Sequence, residues 1–479
     1  MGGSLPGGRG PPEPRPRPEP VTRPADASCG PPGRMGRWGR AIAQAEGARA
    51  VRTTSPGDIS DRRRTRRRRP AWPLAAATAL ALAAAACSAD GSGPAGAADA
   101  GERPAGVRLD GHTYQVPQPL PPAPPGTPIA ATRHGPDPRT GAAERWTVLH
   151  HSSDAHGRDI AVSGTLLVPR GAPPPGGRPV VAWAHGTTGI ADACAPSQAA
   201  NLGFDVYAQE AGAFLRAGYA VVATDYPGLG TPGPHTYLVG PDEGNAVVDS
   251  VTAAHRLLPD LAPTWFAVGH SQGGQAALFA ARAADRAAGT RFGGAVAVAP
   301  ASHLDAMLPG VIAAHQPGSL AFALYSLAGL NATDPGVDLA RLLGPSATRT
   351  ARQVFEECLT APHPALARTT TEAALPLDRA QLAVVGGKMA AYGNPDRSAV
   401  RAPVLLVQGG ADQDVPAAWT AQVAWNLRAL GSPSVTERAY AGAGHDDVLG
   451  RSFCDVLAFL GAHGGTSAKG CVPFRAETG

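Results

Sequence analysis

Ser271, Asp412 and His445 are three residues whose types and chain order could support covalent chemistry. Ser271 lies in the segment GHSQGG, Asp412 follows an apolar run that ends in QGG, and His445 ends the segment AGAGH. A serine hydroxyl becomes a good nucleophile when a histidine takes its proton, and that histidine needs an acid to orient it. We therefore predict a triad of nucleophile, acid and base in this order along the chain.

The surroundings of Ser271 distinguish a nucleophile from a serine in an ordinary glycine-rich turn. The pattern G-x-S-x-G is weak by itself in a chain with 60 glycines. Here the apolar run TWFAVG precedes the serine, and a helix-forming stretch begins at Gln275. Glycines 269, 273 and 274 permit a tight turn and close packing of the helix. This strand–turn–helix context favours a nucleophile.

Asp414 is the alternative to Asp412 as the acid of the triad. The spacing D-x-x-V-P favours Asp412, because Asp414 stands just before a helix predicted to begin near Pro416, where negative charge suits the helix dipole. For the base, His445 follows a predicted strand and a glycine-containing turn. The other histidine after Asp412 is His463, in the predicted C-terminal helix. We predict Asp412 and His445.

Two backbone N–H groups should stabilise the negative charge that develops on a reacting carbonyl oxygen. One is expected from Gln272, directly after the nucleophile. The other is expected from the loop at the end of the segment VVAWAHGTTG, where Thr187 is the preferred donor. His185 in this loop is expected to anchor the loop by a hydrogen bond. No C-x-x-C pair occurs, and we predict no metal and no cofactor.

The elements that must position these residues alternate along the chain from about residue 145. Segment 159–170 alternates apolar and polar residues, as in an antiparallel strand, whereas RPVVAWAHG, YAVVATDYPG, TWFAVGHS, FGGAVAVAP and APVLLVQGG are continuous apolar runs. Such runs are typical of parallel strands buried on both faces. Helical segments lie between them. We predict an α/β fold whose sheet is mostly parallel, with helices on both faces and catalytic loops at the carboxyl ends of the strands.

The predicted core is divided by an insertion. Residues 129–300 and 399–479 form its two parts, and residues 301–398 interrupt the alternation with stretches that look helical. Structureless loops longer than about 15 residues are uncommon in compact domains. We therefore predict that residues 301–398 form a helical cap over the site.

The N-terminal part of the chain has the composition of a leader. Residues 1–70 contain 16 arginines and 6 acidic residues, a charge of +10, so the remainder carries −6 of the total of +4. The basic charge thus belongs to a leader predicted to be disordered, and a nucleic-acid partner is not expected. Because export signals start near an N-terminus, we expect the natural start downstream, at Met35 or Val51.

An apolar export segment follows at residues 71–87. It is short for a membrane span, follows a run of arginines and ends in small residues, as signal peptides do. Its end, AAAAC, resembles a bacterial lipobox in which Cys87 would be lipidated, although Ala84 stands where leucine is usual. A lipoprotein and a freely secreted protein both remain open. Residues 88–128 are predicted to form a tether rich in glycine, alanine and proline.

Four cysteines lie beyond the leader and the export segment. An even number of cysteines in an exported chain predicts two disulfides. The four are Cys194, Cys358, Cys454 and Cys471.

Seven segments together resemble the secretory lipase family of the lipase A type, within the α/β-hydrolase superfamily. They are WAHGTTG, CAPS, ATDYPGLGT, GPDEGNAVVDSV, GHSQGG, GGADQDVP and GAGH, spread over about residues 110–475. The resemblance implies an α/β-hydrolase fold with a helical lid inserted between nucleophile and acid. It also implies a disulfide between a cysteine after the oxyanion loop and one in the lid, which Cys194 and Cys358 match. Cys454 and Cys471 would then tie the tail to the terminal helix. The acidic side chain of the lipase A oxyanion loop has no counterpart in HGTTG.

These observations predict an exported serine ester hydrolase that acts on acyl esters such as triacylglycerols. The alternatives are an acyltransferase, a prolyl-type peptidase, and a non-catalytic cell-surface protein on the same scaffold. Lipid-interface contact would be made by the cap or by a lipidated Cys87. In the cap, Leu320, Leu324 and Leu327 fall near one helix face, which either packs in the core or walls an acyl pocket.

Overall fold

The computed structural model of the chain describes residues 2–3, 104–314, 317–359, 363–467 and 470–475. Contacts divide the chain into residues 1–36 and residues 37–479, and the description below concerns the second unit. The predicted export segment 71–87, with Cys87, lies outside the described residues. Among the residues that are described, no helix has the length and apolar composition needed to cross a bilayer.

Eleven strands occur in the described residues. They are β1 (Leu109–Asp110), β2 (Thr113–Tyr114), β3 (Pro128–His134), β4 (Glu144–Ser153), β5 (Asp159–Val168), β6 (Arg178–Ala184), β7 (Ala220–Thr224), β8 (Leu261–His270), β9 (Arg291–Val298), β10 (Val404–Gly409) and β11 (Val435–Tyr440). β1 and β2 form a hairpin, and the others form one sheet in the order β11-β10-β9-β8-β6-β7-β5-β4-β3. Neighbours from β11 to β7 are parallel, and those from β7 to β3 are antiparallel.

Ten α-helices lie in the same described ranges. They are α1 (Asp205–Arg216), α2 (Gly240–Leu257), α3 (Gln272–Ala283), α4 (Leu304–Ala314), α5 (Pro317–Thr333), α6 (Leu339–Phe355), α7 (Thr371–Ala374), α8 (Arg379–Gly393), α9 (Ala417–Ala429) and α10 (Asp447–Ala462). α6 is interrupted at Gly344, whose backbone is not helical.

Alternate side chains of each central strand enter two different cores, because successive residues of a strand point to opposite faces of the sheet. Val181 and Trp183 of β6 pack with α1 and α10 on one face. Val180 and Ala182 pack with α2 and α3 on the other. Burial on both faces explains why these strands are continuous apolar runs in the sequence. The predicted fold class, a mostly parallel sheet with helices on both faces, is confirmed.

Helices α4 to α8 lie in the chain between β9 and β10 and share a hydrophobic core of their own, to which Tyr237 and Leu238 also contribute. Leu320, Leu324 and Leu327 are fully buried in that core. Their apolar face therefore packs inside the cap and does not line an open pocket.

The segment 88–128 differs from the expected tether in its described part, residues 104–128. Tyr114 is 3% exposed, and its hydroxyl forms a hydrogen bond of 2.7 Å with the hydroxyl of Ser197. Its backbone N–H donates to the carbonyl oxygen of Gly230 at 2.6 Å. The buried side chain of Tyr114 and its backbone N–H thus both tie this glycine- and proline-rich stretch to the core.

Candidate active site

The loops that carry the predicted nucleophile and oxyanion donor leave the sheet side by side. β6 and β8 are parallel neighbours with Ala184 opposite Gly269, although β7 comes between them in the chain. Their carboxyl ends therefore meet where the strand order reverses, the usual position of a ligand site in an open α/β sheet. Thr187 follows the first of these ends, and Ser271 follows the second.

Ser271 lies on a strained turn between β8 and α3. Its backbone angles are φ 58° and ψ −117°, a conformation that residues other than glycine rarely adopt. Its backbone N–H donates to the carbonyl oxygen of Val298 at 2.9 Å, which fixes the turn against β9. Gly273 sits so close to the carbonyl oxygen of Ala184 that a Cβ atom would not fit. The glycines of GHSQGG thus permit this approach, and the serine is presented as on a nucleophile elbow.

Asp412 is buried, whereas its alternative Asp414 is exposed. The Asp412 carboxylate accepts the backbone N–H groups of Asp414 and Val415 at 2.8 and 2.9 Å and the side-chain amide of Gln408 at 2.8 Å. Burial acts to raise the pKa of Asp412, but the hydrogen bond from His445 and the other donors outweigh it and hold the pKa below its usual value. The carboxylate is thus a fixed anion.

His445 is held by that anion. Its Nδ1 lies 2.8 Å from Oδ2 of Asp412, and 13% of its side chain is exposed. Burial acts to lower the pKa of His445, but the hydrogen bond and charge of Asp412 outweigh it and leave the pKa above its usual value. The ring packs against the ring of His270, the residue before Ser271, with centroids 4.5 Å apart. Among the described residues, no hydrogen bond joins the His445 ring to the Ser271 hydroxyl.

The predicted oxyanion loop after β6 is buried and anchored at several points. Thr187 is 6% exposed, and its hydroxyl lies 2.7 Å from the hydroxyl of Tyr237. Nδ1 of His185 lies 2.7 Å from the carbonyl oxygen of Gly186, and burial lowers the pKa of His185 to about 4. A neutral, buried His185 therefore anchors the loop. On the other side of the site, α3 begins at Gln272, so its backbone N–H lies in the first turn, where amides lack helical partners.

The cap is joined to this loop both covalently and by hydrogen bonding. A disulfide links Cys194 to Cys358 across 164 residues. Beside it, the backbone N–H of Leu359 donates to the carbonyl oxygen of Thr188 at 2.8 Å. A second disulfide, Cys454–Cys471, ties the tail to α10 across 17 residues.

Glu243, which the sequence reasoning did not single out, lies behind the nucleophile turn. Its side chain is fully buried, and Oε1 accepts the side-chain amide of Gln272 at 2.7 Å and the backbone N–H of Leu238 at 2.9 Å. Burial raises the pKa of Glu243 to about 8 and so favours its protonated form. Its place in the motif GPDEGNAVVDSV was the signal that could have drawn attention to it.

Donor atoms that could hold a metal ion also converge around His445. They belong to two groups, His270 with His445 and Asp446, and Asp412 with Asp414 and His445, each within 4.8 Å. In both groups His445 takes part, and its Nδ1 already bonds to Asp412.

The sheet order, the flanking helices and the inserted cap define an α/β-hydrolase. Residues 204–449, slightly more than half of the chain, match the family described as serine aminopeptidase, S33, and the chain belongs to this family. No curated protein matches the chain by sequence.

Two solved structures have folds similar to that of this chain. Candida antarctica lipase A in its closed state is 18% identical, with a TM-score of 0.59 over 74% of this chain and 86% of that one. A ligand-bound form of the rice cell wall degrading esterase LipA from Xanthomonas oryzae is 19% identical, with a TM-score of 0.57 over 69% of this chain and 95% of that one. The fold implied by the sequence motifs is thus confirmed.

Proposed function

We propose that this chain is an exported serine hydrolase of carboxylic esters in which Ser271 is the nucleophile, His445 the base and Asp412 the orienting acid. The observation that carries the proposal is the hydrogen bond of 2.8 Å between Nδ1 of His445 and buried Asp412. This pair lies against the segment that presents Ser271 on a strained turn. A buried acid, a base that it orients and a presented serine are the parts that acyl transfer requires.

Acylation begins when Oγ of Ser271 attacks the carbonyl carbon of the ester and its proton passes to Nε2 of His445. The hydrogen bond between these two atoms forms when substrate binds, because such bonds are often long in free enzymes. Asp412 stabilises the imidazolium that results. The tetrahedral intermediate then collapses, the bond to the alcohol oxygen breaks, and His445 returns the proton to the leaving alcohol.

Deacylation repeats these steps with water in place of the serine. His445 takes a proton from water as the water oxygen attacks the acyl carbon. The bond to Oγ of Ser271 then breaks, His445 returns the proton to Oγ, and the carboxylic acid is released. In both halves the negative oxygen is stabilised by the backbone N–H groups of Gln272 and Thr187. Loss of one such donor typically costs about 10²- to 10³-fold in kcat.

Acyl esters, including triacylglycerols, are the proposed substrates. The support is the set of motifs shared with secretory lipases, together with a lipase and an esterase among the structures of similar fold. The description of the S33 family favours a second candidate, the release of N-terminal residues from peptides. Both reactions use the same triad, so the substrate must decide between them.

Export is the proposed route of this chain to its substrate. Two disulfides are compatible with an oxidising compartment, and the arginine-rich run before an apolar segment has the pattern of a signal peptide. Contact with a lipid surface would be made by the cap or by a lipidated Cys87.

A substrate panel tests this function. Purified protein is offered p-nitrophenyl esters from acetate to octanoate, emulsified triglyceride, and prolyl and other aminoacyl p-nitroanilides, with Ser271→Ala as the control. We expect ester cleavage that disappears in Ser271→Ala. A kcat/KM for nitroanilides above that for every ester would establish a peptidase instead, and ester transfer to an added alcohol in place of hydrolysis would establish an acyltransferase.

A further inference from the structure

Tyr207 and His270 are two buried residues outside the proposed triad that connect its parts. They are 3% and 1% exposed. Tyr207 lies on α1, and His270 is the last residue of β8. Neither residue is needed to take or give a proton in the reaction described above.

Three contacts join these side chains to the catalytic segments. The Tyr207 hydroxyl lies 3.1 Å from Nδ1 of His270. Nε2 of the same ring lies 3.0 Å from the backbone carbonyl oxygen of His445. The Tyr207 hydroxyl also lies so close to Gly186 of the oxyanion loop that a Cβ atom there would collide with it. The contacts thus reach the segments that carry the proposed oxyanion donor, nucleophile and base.

The chemistry of the partners determines which atom donates in each bond. Burial and the neighbouring His445 lower the pKa of His270 to about 3, so its ring is neutral and carries one N–H. The carbonyl oxygen of His445 can only accept, which places that hydrogen on Nε2. Nδ1 must then accept, so the Tyr207 hydroxyl donates to it. The tyrosine oxygen also lies against the backbone of Gly186, whose N–H acts against the burial that raises the pKa of Tyr207.

We propose that Tyr207 and His270 are positioning residues that hold the base loop, the nucleophile turn and the oxyanion loop in register. This inference rests on the proposed function. A close contact joins Gly186 to Tyr207, and hydrogen bonds lead from Tyr207 to His270 and from His270 to the backbone of His445. His270 also supplies the ring on which the His445 ring packs. Because His270 is neutral, it does not repel His445 when that ring becomes an imidazolium.

A matched pair of substitutions at His270 tests the bond to the base loop. The amide nitrogen of a glutamine reaches about as far as Nε2 of histidine, whereas the amide oxygen of an asparagine reaches only as far as Nδ1. His270→Gln can therefore still donate to His445, and His270→Asn can only accept from Tyr207. We expect kcat to fall about 10- to 100-fold in His270→Asn, the scale of a misplacement of about 1 Å, with KM nearly unchanged. His270→Gln should recover most of that loss.

Tyr207→Phe tests the hydrogen bond between Tyr207 and His270. It removes a single hydroxyl, so it keeps the proposal testable if both His270 variants fail to fold. We expect about a tenfold lower kcat with KM nearly unchanged. Tyr219→Phe is the matched control, because Tyr219 is also buried and its hydroxyl accepts the backbone N–H of Thr466, in the C-terminal segment, at 2.8 Å. Its melting temperature should fall without a change in kcat.

The outcomes separate this inference from the proposed function. If wild-type protein hydrolyses esters and Ser271→Ala does not, the function holds. Equal kcat values in Tyr207→Phe and Tyr219→Phe would then overturn the positioning role, and so would equal losses in the two His270 variants, which indicate packing alone. If wild-type protein has no hydrolytic activity, it is the proposed function that fails.

Discussion

Replacing Asp412 by asparagine removes the orientation of the base with little change in shape. Oδ1 of Asp412 accepts the backbone N–H groups of Asp414 and Val415, so the amide oxygen of an asparagine will take this position. Its NH₂ group then falls where Oδ2 accepts from His445 and Gln408, each at 2.8 Å. A donor faces a donor there. His445 must move its proton to Nε2, which can then no longer take the proton of a serine.

This loss of the correct tautomer sets the expected magnitude. In serine hydrolases an asparagine at the orienting acid costs about 10⁴-fold in kcat. That corresponds to about 5.5 kcal/mol of transition-state stabilisation.

The pH profile should change as well. Burial acts to lower the pKa of His445, and the hydrogen bond and charge of Asp412 reverse that effect. Since His445 is active as the neutral base, losing Asp412 should move the acidic limb of any residual activity to lower pH.

The assay is steady-state hydrolysis of a p-nitrophenyl ester from pH 5 to 9, with melting temperatures measured in parallel. Asp414→Asn is the control, because its carboxylate is exposed, and we expect nearly wild-type kcat from it. The reasoning is refuted if Asp412→Asn keeps kcat within tenfold of wild type. A larger loss in Asp414→Asn than in Asp412→Asn would transfer the role to Asp414.

Two further predictions concern the surroundings of the site. Burial raises the pKa of Glu243 to about 8, above its value in the unfolded chain, so the folded state loses stability through this group as the pH rises from about 5 to 8. The melting temperature of Glu243→Gln should therefore rise relative to that of wild type as the pH increases over this range. Parallel curves of melting temperature against pH for the two proteins would contradict the argument. Replacing Cys194 and Cys358 by serine should cost about 2–4 kcal/mol in denaturant unfolding and also lower kcat, because the cap holds the oxyanion loop. Serines at Cys454 and Cys471 should lower stability with kcat unchanged, and equal kcat in the two double variants would contradict this role.

Local patterns in the sequence predicted the sheet and the turn at Ser271. Continuous apolar runs marked the central strands because those strands are buried on both faces. Glycines around Ser271 marked the turn because Gly273 lies against the carbonyl oxygen of Ala184 without room for a side chain. Both constraints restrict the residue types at several neighbouring positions, so each leaves a pattern in the sequence.

Long-range partners left no comparable pattern. The periodicity of Leu320, Leu324 and Leu327 predicted a buried face without indicating that it packs inside the cap. Tyr114 forms a hydrogen bond with Ser197, 83 residues away, and the composition, which suggested a tether, gives no sign of this contact. Tyr207 and His270 are likewise joined by the fold across 63 residues. The sequence shows which residue types can be buried, but it does not show which distant residue each of them contacts.

Labelling with a fluorophosphonate tests the central claim most directly, because such reagents phosphonylate an activated serine and do not depend on the natural substrate. Folded wild-type protein should take up one equivalent, which peptide mass spectrometry should locate at Ser271 and which should abolish ester hydrolysis. Ser271→Ala should have a nearly unchanged melting temperature and take up none. Folded wild-type protein that is not labelled, or label and turnover that persist in Ser271→Ala, would contradict the assignment of Ser271 as the nucleophile.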